Sequence, residues 1–152
     1  MEEKLTVRKA NKDDIPLIQN MIKKLALYEK RPQDMTGSEE ELDYWLFKRE
    51  TAVALIAEYD CKAIGYAIYY PVFGSFAAKA GVHLEDLLME EEYRRRGFGK
   101  EFFYKIEELV KQEGYTRMEW SCLDWNTPAI DFYNKIGADK EQGRKYFSYT
   151  CE

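Results

Sequence analysis

Residues 94–100 read Arg94-Arg95-Arg96-Gly97-Phe98-Gly99-Lys100, directly after the acidic run Glu90-Glu91-Glu92. The glycines leave no side chains over the backbone, so N–H groups there can approach an anion. A helix starting at this point would add the positive end of its dipole. That is the chemistry of phosphate binding. Two familiar phosphate loops do not fit. A Walker loop needs Ser or Thr after its lysine, where this chain has Glu101, and a dinucleotide loop needs a small residue where it has Phe102. A solvated turn in which the acids offset the arginines fits the loop by itself equally well.

Just upstream lies "VHLEDLLM", with three polar groups in an otherwise apolar run. Glu85 is suited to holding a cation; the alternative is a strand carboxylate paired with an arginine or with His83. In a regular strand His83 and Glu85 share a face and Asp86 takes the other, so only a bulge would bring both carboxylates to one site. His83 is the sole histidine. It lies within reach of that site as a base, and a satisfied structural histidine also accounts for it.

These groups must be positioned by the elements around them. "KLTVRKA" alternates as a strand, and "NKDDIPLIQNMIKKLALYEK" carries Ile18, Met21, Ile22 and Leu25 at helical spacing, with Asn11 or Asp13 as cap. "RPQDMTG" breaks that helix, and Ser38 with Glu41 opens a second one. "TAVALIAEY", the turn "DCK" and "AIGYAIYYPVF" form a hairpin, "GSFAAKAG" is a loop, and "VHLEDLLM" is a strand apolar enough to be central. After the glycine loop, Phe102, Phe103, Ile106, Leu109 and Val110 line one helix face, with Gly114 at its end. "TRMEWSCL" reads as a strand, "NTPAIDFYNKIG" as a short helix capped by Asn126 or Thr127, and "GRKYFSYTC" as a closing strand. The expectation is one domain over 1–152: an α/β fold with a sheet of mixed direction flanked by helices.

Composition narrows the partners. Net charge is −5, which disfavours nucleic acid and favours a cationic small molecule. Cys61, Cys122 and Cys151 have no metal-ligand spacing and read as thiols, so no metal is expected. No run is long and apolar enough for a membrane span, and the polar start is unlike a secretory signal. A cytoplasmic location and no membrane partner are the expectations.

The loop Arg94 to Gly99 resembles the pyrophosphate loop of the GNAT superfamily of N-acetyltransferases, and the order of elements agrees along essentially the whole chain. The resemblance implies a mixed, mostly antiparallel sheet with a splayed central pair of parallel strands, and acetyl-CoA as cosubstrate. Within the superfamily, Tyr28-Glu29, Leu84-Glu85-Asp86, Trp125-Asn126 and Phe132-Tyr133 resemble segments of the diamine (spermidine/spermine) acetyltransferases, and "LDWN" is similar to their thialysine-acetylating branch. The short hairpin turn Asp60-Cys61-Lys62 and the segment "FGSFAAKAGVH" depart from the animal enzymes, which leaves the acceptor open.

From this resemblance follow the expected roles. Tyr133 would protonate the leaving thiolate. Donation from a phenol to a thiolate is uphill by only about 1.5 pKa units, roughly 2 kcal/mol. The alternative packs Tyr133 with Ile130 and Ile136. Glu85 would bind and orient the amine, since direct transfer from an ammonium to an ordinary carboxylate is uphill by about six units, roughly 8 kcal/mol. Tyr28 and Glu29 would hold a distal ammonium. Leu87, Leu88 and Met89 would line the pantetheine arm, Arg94, Arg95, Arg96, Gly97, Phe98, Gly99 and Lys100 the pyrophosphate, and Asn126, Thr127, Ala129 and Tyr133 the far side. Cys122 reads as core, because direct transfer needs no acyl-enzyme. The implied function is acetyl-CoA-dependent acetylation of a polyamine, diamine or lysine-like amino acid by a homodimer. The alternatives are a protein N-terminal or lysine acetyltransferase and a non-catalytic CoA-binding module.

Overall fold

The computed structural model describes residues 4–151, and the chain divides into two compact units, Met1–Ser121 and Cys122–Glu152. The first unit holds a five-stranded sheet: β1 (Thr6–Lys9), β2 (Val53–Tyr59), β3 (Lys62–Gly74), β4 (Lys79–Met89) and β5 (Met118–Glu119). The strands lie in that order, antiparallel except for the parallel β4–β5 pair. Hairpins explain β2–β3 and β3–β4, a helical return brings β2 antiparallel to β1, and the helical crossover between β4 and β5 permits the parallel pair. The β2–β3 turn is tight: Asp60 and Cys61 both take positive φ (51° and 59°), the geometry that matches the strands' twist.

α1 (Ile15–Tyr28), α2 (Glu39–Asp43, continued as a π-helical turn over Tyr44–Lys48) and α3 (Phe98–Gln112) complete the unit. Asn11 caps a short 3-10 turn ahead of α1, and the Ser38 oxygen accepts the Glu41 N–H at 3.1 Å. Residues alternate across the sheet, so Ile56, Tyr66, Ile68 and Leu88 meet Ile18 and Met21 of α1 and Leu46. Leu55, Ala67, Tyr69 and Val82 point the other way, where α3 lies against β4 and β1. α3 buries Phe102, Phe103, Ile106 and Val110, each contributing about 1.5–3 kcal/mol. It ends at Gly114 (φ 94°), where the Tyr115 N–H returns to the Val110 carbonyl at 3.0 Å.

The second unit contains α4 (Thr127–Lys135), closed by Gly137 at φ 83° with the Ala138 N–H on the Tyr133 carbonyl. Two expectations are corrected here. "TRMEWSCL" is a strand only at Met118–Glu119, and no strand follows α4 among the described residues. Tyr146, Phe147 and Tyr149 are 96%, 83% and 91% exposed instead. Alternation makes a strand only where a neighbouring edge takes up its backbone hydrogen bonds, and this segment has no such ladder.

Candidate active site

Glu85 sits at a break in the β3–β4 ladder. Ile68 pairs with Asp86 and Tyr69 with Leu84, so Glu85 is the extra residue of a β-bulge. The bulge has two consequences. First, it lets adjacent carboxylates serve one side. The Glu85 Oε2 accepts the Tyr70 hydroxyl at 3.3 Å and lies 3.5 Å from His83 Nε2. The Asp86 Oδ2 accepts the Tyr66 hydroxyl at 2.9 Å. Tyr66 and Tyr70 are four residues apart on β3 and share a face.

Second, the bulge changes which backbone groups face the open edge. The Val82 N–H donates to the Arg117 carbonyl, toward β5, and the Glu90 N–H donates to Ile64, toward β3. Strict alternation would give both residues the same direction; the extra residue inverts it. Leu87 and Met89 therefore turn their backbone groups to the β5 side. The β4–β5 ladder ends at His83↔Glu119, so along that stretch β4 has no strand partner there among the described residues. Leu88 pairs with Tyr66 and its side chain is buried in the core.

The electrostatics record the crowding. Burial, with repulsion from Glu85 and Glu29, pushes the Asp86 carboxyl up to about 6 against the Tyr66 hydrogen bond, which works the other way. Burial raises Glu29 at the C-terminus of α1, Arg31 partly offsets this, and Glu85 adds to it. Burial and Asp86 hold Tyr66 far above the ordinary phenol range, so it remains a donor. Glu29, Glu85 and Asp86 thus form one acidic site, the arrangement that binds a cation. Asp86, Tyr66, Tyr70 and Glu119 are absent from the sequence-derived site. The adjacent Glu85-Asp86 pair in an apolar strand was the available signal, once a bulge is allowed.

β4 leads directly into the glycine loop. Gly97 caps α3 with φ 83°, and a side chain built on it would meet nothing within 4 Å. The first-turn N–H groups of α3 thus lie beside open space at the positive end of its dipole. The arginine side chains are largely spoken for by protein groups. Arg94 Nε donates to the Met89 carbonyl at 2.9 Å, and its guanidinium lies 5.0 Å from the Tyr28 ring. Arg96 covers Phe98 and Tyr93 at 5.1 and 5.5 Å. Arg95 itself takes a positive φ of 62°. Arg94 thereby joins Tyr28, beside Glu29, to the end of β4.

In the second unit the Asn126 side chain accepts the Ala129 N–H at 3.3 Å and caps α4. Thr127 and Ala129 form its first turn, and Tyr133 stands near its end with its ring 5.6 Å from Phe132. Cys122 is half-buried in the same unit.

A sequence profile described as the acetyltransferase (GNAT) family matches residues 18–138. The chain is 30% identical over 157 aligned positions to a thialysine N-epsilon-acetyltransferase of Sus scrofa, covering 96% of this chain and 91% of the relative. It is 40% identical over 79 residues to the L-ornithine N5-acetyltransferase NATA1 of Arabidopsis thaliana, a match covering 52% of this chain and 35% of that protein. Among solved structures, the aminoglycoside N-acetyltransferase AAC(6')-Iy in complex with CoA superposes with a TM-score of 0.76 at 16% identity, over 99% of this chain and 98% of that one. Both of these sequence relatives are named N-acetyltransferases, and the shared fold extends to nearly the full length. A five-stranded mixed sheet whose parallel pair parts beside a glycine loop is that fold, and the chain belongs to the GNAT family of N-acetyltransferases.

Proposed function

We propose that the protein transfers an acetyl group from acetyl-CoA to a primary amine of a small cation: a polyamine, a diamine or a lysine-like amino acid. The observation that carries this reading is the bulge at Glu85, which lets Glu85 and Asp86 serve one side of the strand that runs into the glycine loop. Glu29, at the end of α1, is close enough to interact with both. Relatives named for thialysine and ornithine acetylation support an amine acceptor. A GNAT fold solved with CoA supports the cosubstrate.

The residues fit acetyl-CoA. The backbone groups of Leu87 and the N–H of Met89 on the open β4 edge suit the amides of a pantetheine arm, the Met89 carbonyl being held by Arg94. The N–H groups of Gly97, Phe98, Gly99 and Lys100 suit a pyrophosphate, with Arg94, Arg95 and Arg96 lending charge around them. By the family resemblance, Asn126, Thr127 and Ala129 would also contact the cosubstrate. Tyr28, Glu29 and Glu85 would hold the amine. Glu85 meets it because its carboxylate is 54% exposed, whereas Asp86 is largely buried on Tyr66.

In the transfer, the amine's lone pair attacks the thioester carbonyl, the C–S bond breaks, and Tyr133 gives its proton to the departing thiolate. The amine must first lose a proton. An ordinary carboxylate is mismatched by about six pKa units, roughly 8 kcal/mol, while a neighbour raised toward 6 narrows the gap to about four. We assign the working unit to a single 1–152 domain, acting as a cytoplasmic homodimer. The exposed aromatic segment Tyr146, Phe147 and Tyr149 supports a contact between copies.

The test is thiol release from acetyl-CoA with spermidine, putrescine, ornithine, thialysine, lysine and a basic peptide, with Tyr133→Phe and Glu85→Gln in parallel. One small amine should release thiol well above the rest, and both variants should lose most of that rate. Release with the peptide alone would replace the reading by protein acetylation. CoA binding with no release from any acceptor would leave a binding module.

A further inference from the structure

His83 is the one imidazole in the chain, and it stands on the last rung that β4 shares with β5, opposite Glu119. Its two nitrogens face two different carboxylates. Nε2 lies 3.5 Å from Glu85 Oε2, and Nδ1 lies 3.6 Å from Glu119 Oε1. The ring is stacked on Tyr70 at 5.1 Å, and the Tyr70 hydroxyl donates to the same Glu85 oxygen. The His83 side chain is 23% exposed, and Glu119 beyond it is 42% exposed and paired with Arg117 at 3.2 Å. Glu85, His83 and Glu119 therefore form a line of exchangeable groups whose middle member, the ring, is the least exposed, at 23% against 54% and 42%.

We propose that His83 is the positioning residue of Glu85 and the carrier of the proton that the amine gives up. The inference rests on the acetyl-transfer reading above. An ammonium oriented by Glu85, which stays ionised, breaks one N–H bond, and that proton passes to Nε2, 3.5 Å from the Glu85 oxygen. The opposite nitrogen, Nδ1, releases its own proton to Glu119, and water removes it there. The amine keeps its electron pair and forms the new bond to the acetyl carbon. The ring is then neutral with its one proton on Nε2, and exchange with water returns that proton to Nδ1 before the next cycle. The contacts of 3.5 and 3.6 Å exceed hydrogen-bond length, as catalytic contacts often do before substrate closes them. Groups facing the ring from each neighbouring strand are Tyr70 on β3, Glu85 on β4 and Glu119 on β5, with Arg117 behind Glu119.

The experiment uses His83→Gln, which keeps a polar side chain but carries no proton onward, with Glu119→Gln as companion. The acceptor is thialysine, or spermidine where that is faster. For His83→Gln, kcat should fall about 30-fold or more, with KM for acetyl-CoA unchanged and KM for the amine within about threefold. The acid limb of the kcat pH profile should move as well. Glu119→Gln should lose kcat in the same direction by about 5-fold. A kcat within about twofold of the parent, or a loss confined to amine KM, overturns the relay. If His83→Gln does not fold, the ring resonance of the sole histidine decides. Adding the amine should move it in the parent and leave it in place in Glu85→Gln, and no movement in the parent overturns the proposal. A parent that acetylates no amine defeats the acetyl-transfer reading and the relay together. An active parent with an unaffected His83→Gln defeats the relay alone.

Discussion

At the scale of single residues, the glycine loop and the buried carboxylate behave differently from what their charges suggest. Gly97 holds φ 83° with open space where a side chain would stand. Alanine there meets no atom and is opposed only by its backbone conformation, at about 1–2 kcal/mol. Gly97→Ala should raise KM for acetyl-CoA about 3- to 10-fold, while Arg95→Ala changes it less than threefold; the reverse order would mean that side-chain charge dominates. Asp86 has a raised proton affinity when folded, from 3.8 to about 6. Its contribution to stability is therefore complete below about 3.8 and is lost as pH rises through about 6. At neutral pH the buried charge works against folding. Asp86→Asn, which can still accept the Tyr66 hydroxyl, should be more stable than the parent at pH 7.5 by on the order of 2 kcal/mol. The advantage should vanish below pH 4. Thermal melting across that window checks it, and a less stable variant at pH 7.5 contradicts it.

At the scale of elements, two close approaches hold the frame. Gly81 on β4 lies under β5: a Cβ there would sit 2.7 Å from the Arg117 carbonyl oxygen. Gly81→Ala should push the β4–β5 rung apart and destabilise the protein by about 1–3 kcal/mol. It should also lower acetyl transfer more than that loss of folded protein explains, because His83 and Glu119 face each other two residues along the same ladder. Denaturant melts with specific activity per folded molecule test both parts. On the far edge, Arg8 of β1 donates to Asp14 at 2.7 and 2.8 Å and to Glu58 of β2 at 2.9 Å. The Arg8 guanidinium holds the Asp14 carboxyl below its usual range, against the opposing effect of burial. That contribution is present above the ordinary carboxylate pKa and is lost as pH falls through the lowered one. Arg8→Met should cost about 1–2 kcal/mol at pH 7, an amount discounted for Arg8's exposure. The cost should shrink in acid.

At the scale of the whole molecule, the surplus of acidic groups, net −5, would act on the proposed cationic acceptor at long range, and Glu29 and Glu85 would act on it at contact. Salt screens the first strongly and the second weakly. KM for spermidine should therefore rise several-fold between about 0.05 and 0.5 M salt, while kcat stays nearly constant. A salt-independent KM would remove the electrostatic argument for a polycation and favour an acceptor with one charge. Among the described residues no helix is long and apolar enough to cross a membrane.

Much of this protein was legible in its residues. Helical spacing located α1 and α3, the Gly114 and Gly137 exits were correctly read, and the strands β2, β3 and β4 followed from apolar content, because these signals are local. The glycine loop was legible too, since a helix N-terminus with small residues is a feature of a few consecutive positions. What the tertiary structure alone decided is the pairing. The bulge at Glu85 exists only in the register between β3 and β4. It alone reconciles two neighbouring carboxylates with one site and turns Leu87 and Met89 to the open edge. The short extent of β5 and the absence of a described strand after α4 are likewise matters of partner edges, which alternation in a sequence cannot supply. Side-chain periodicity is a property of one segment, whereas register is a property of two.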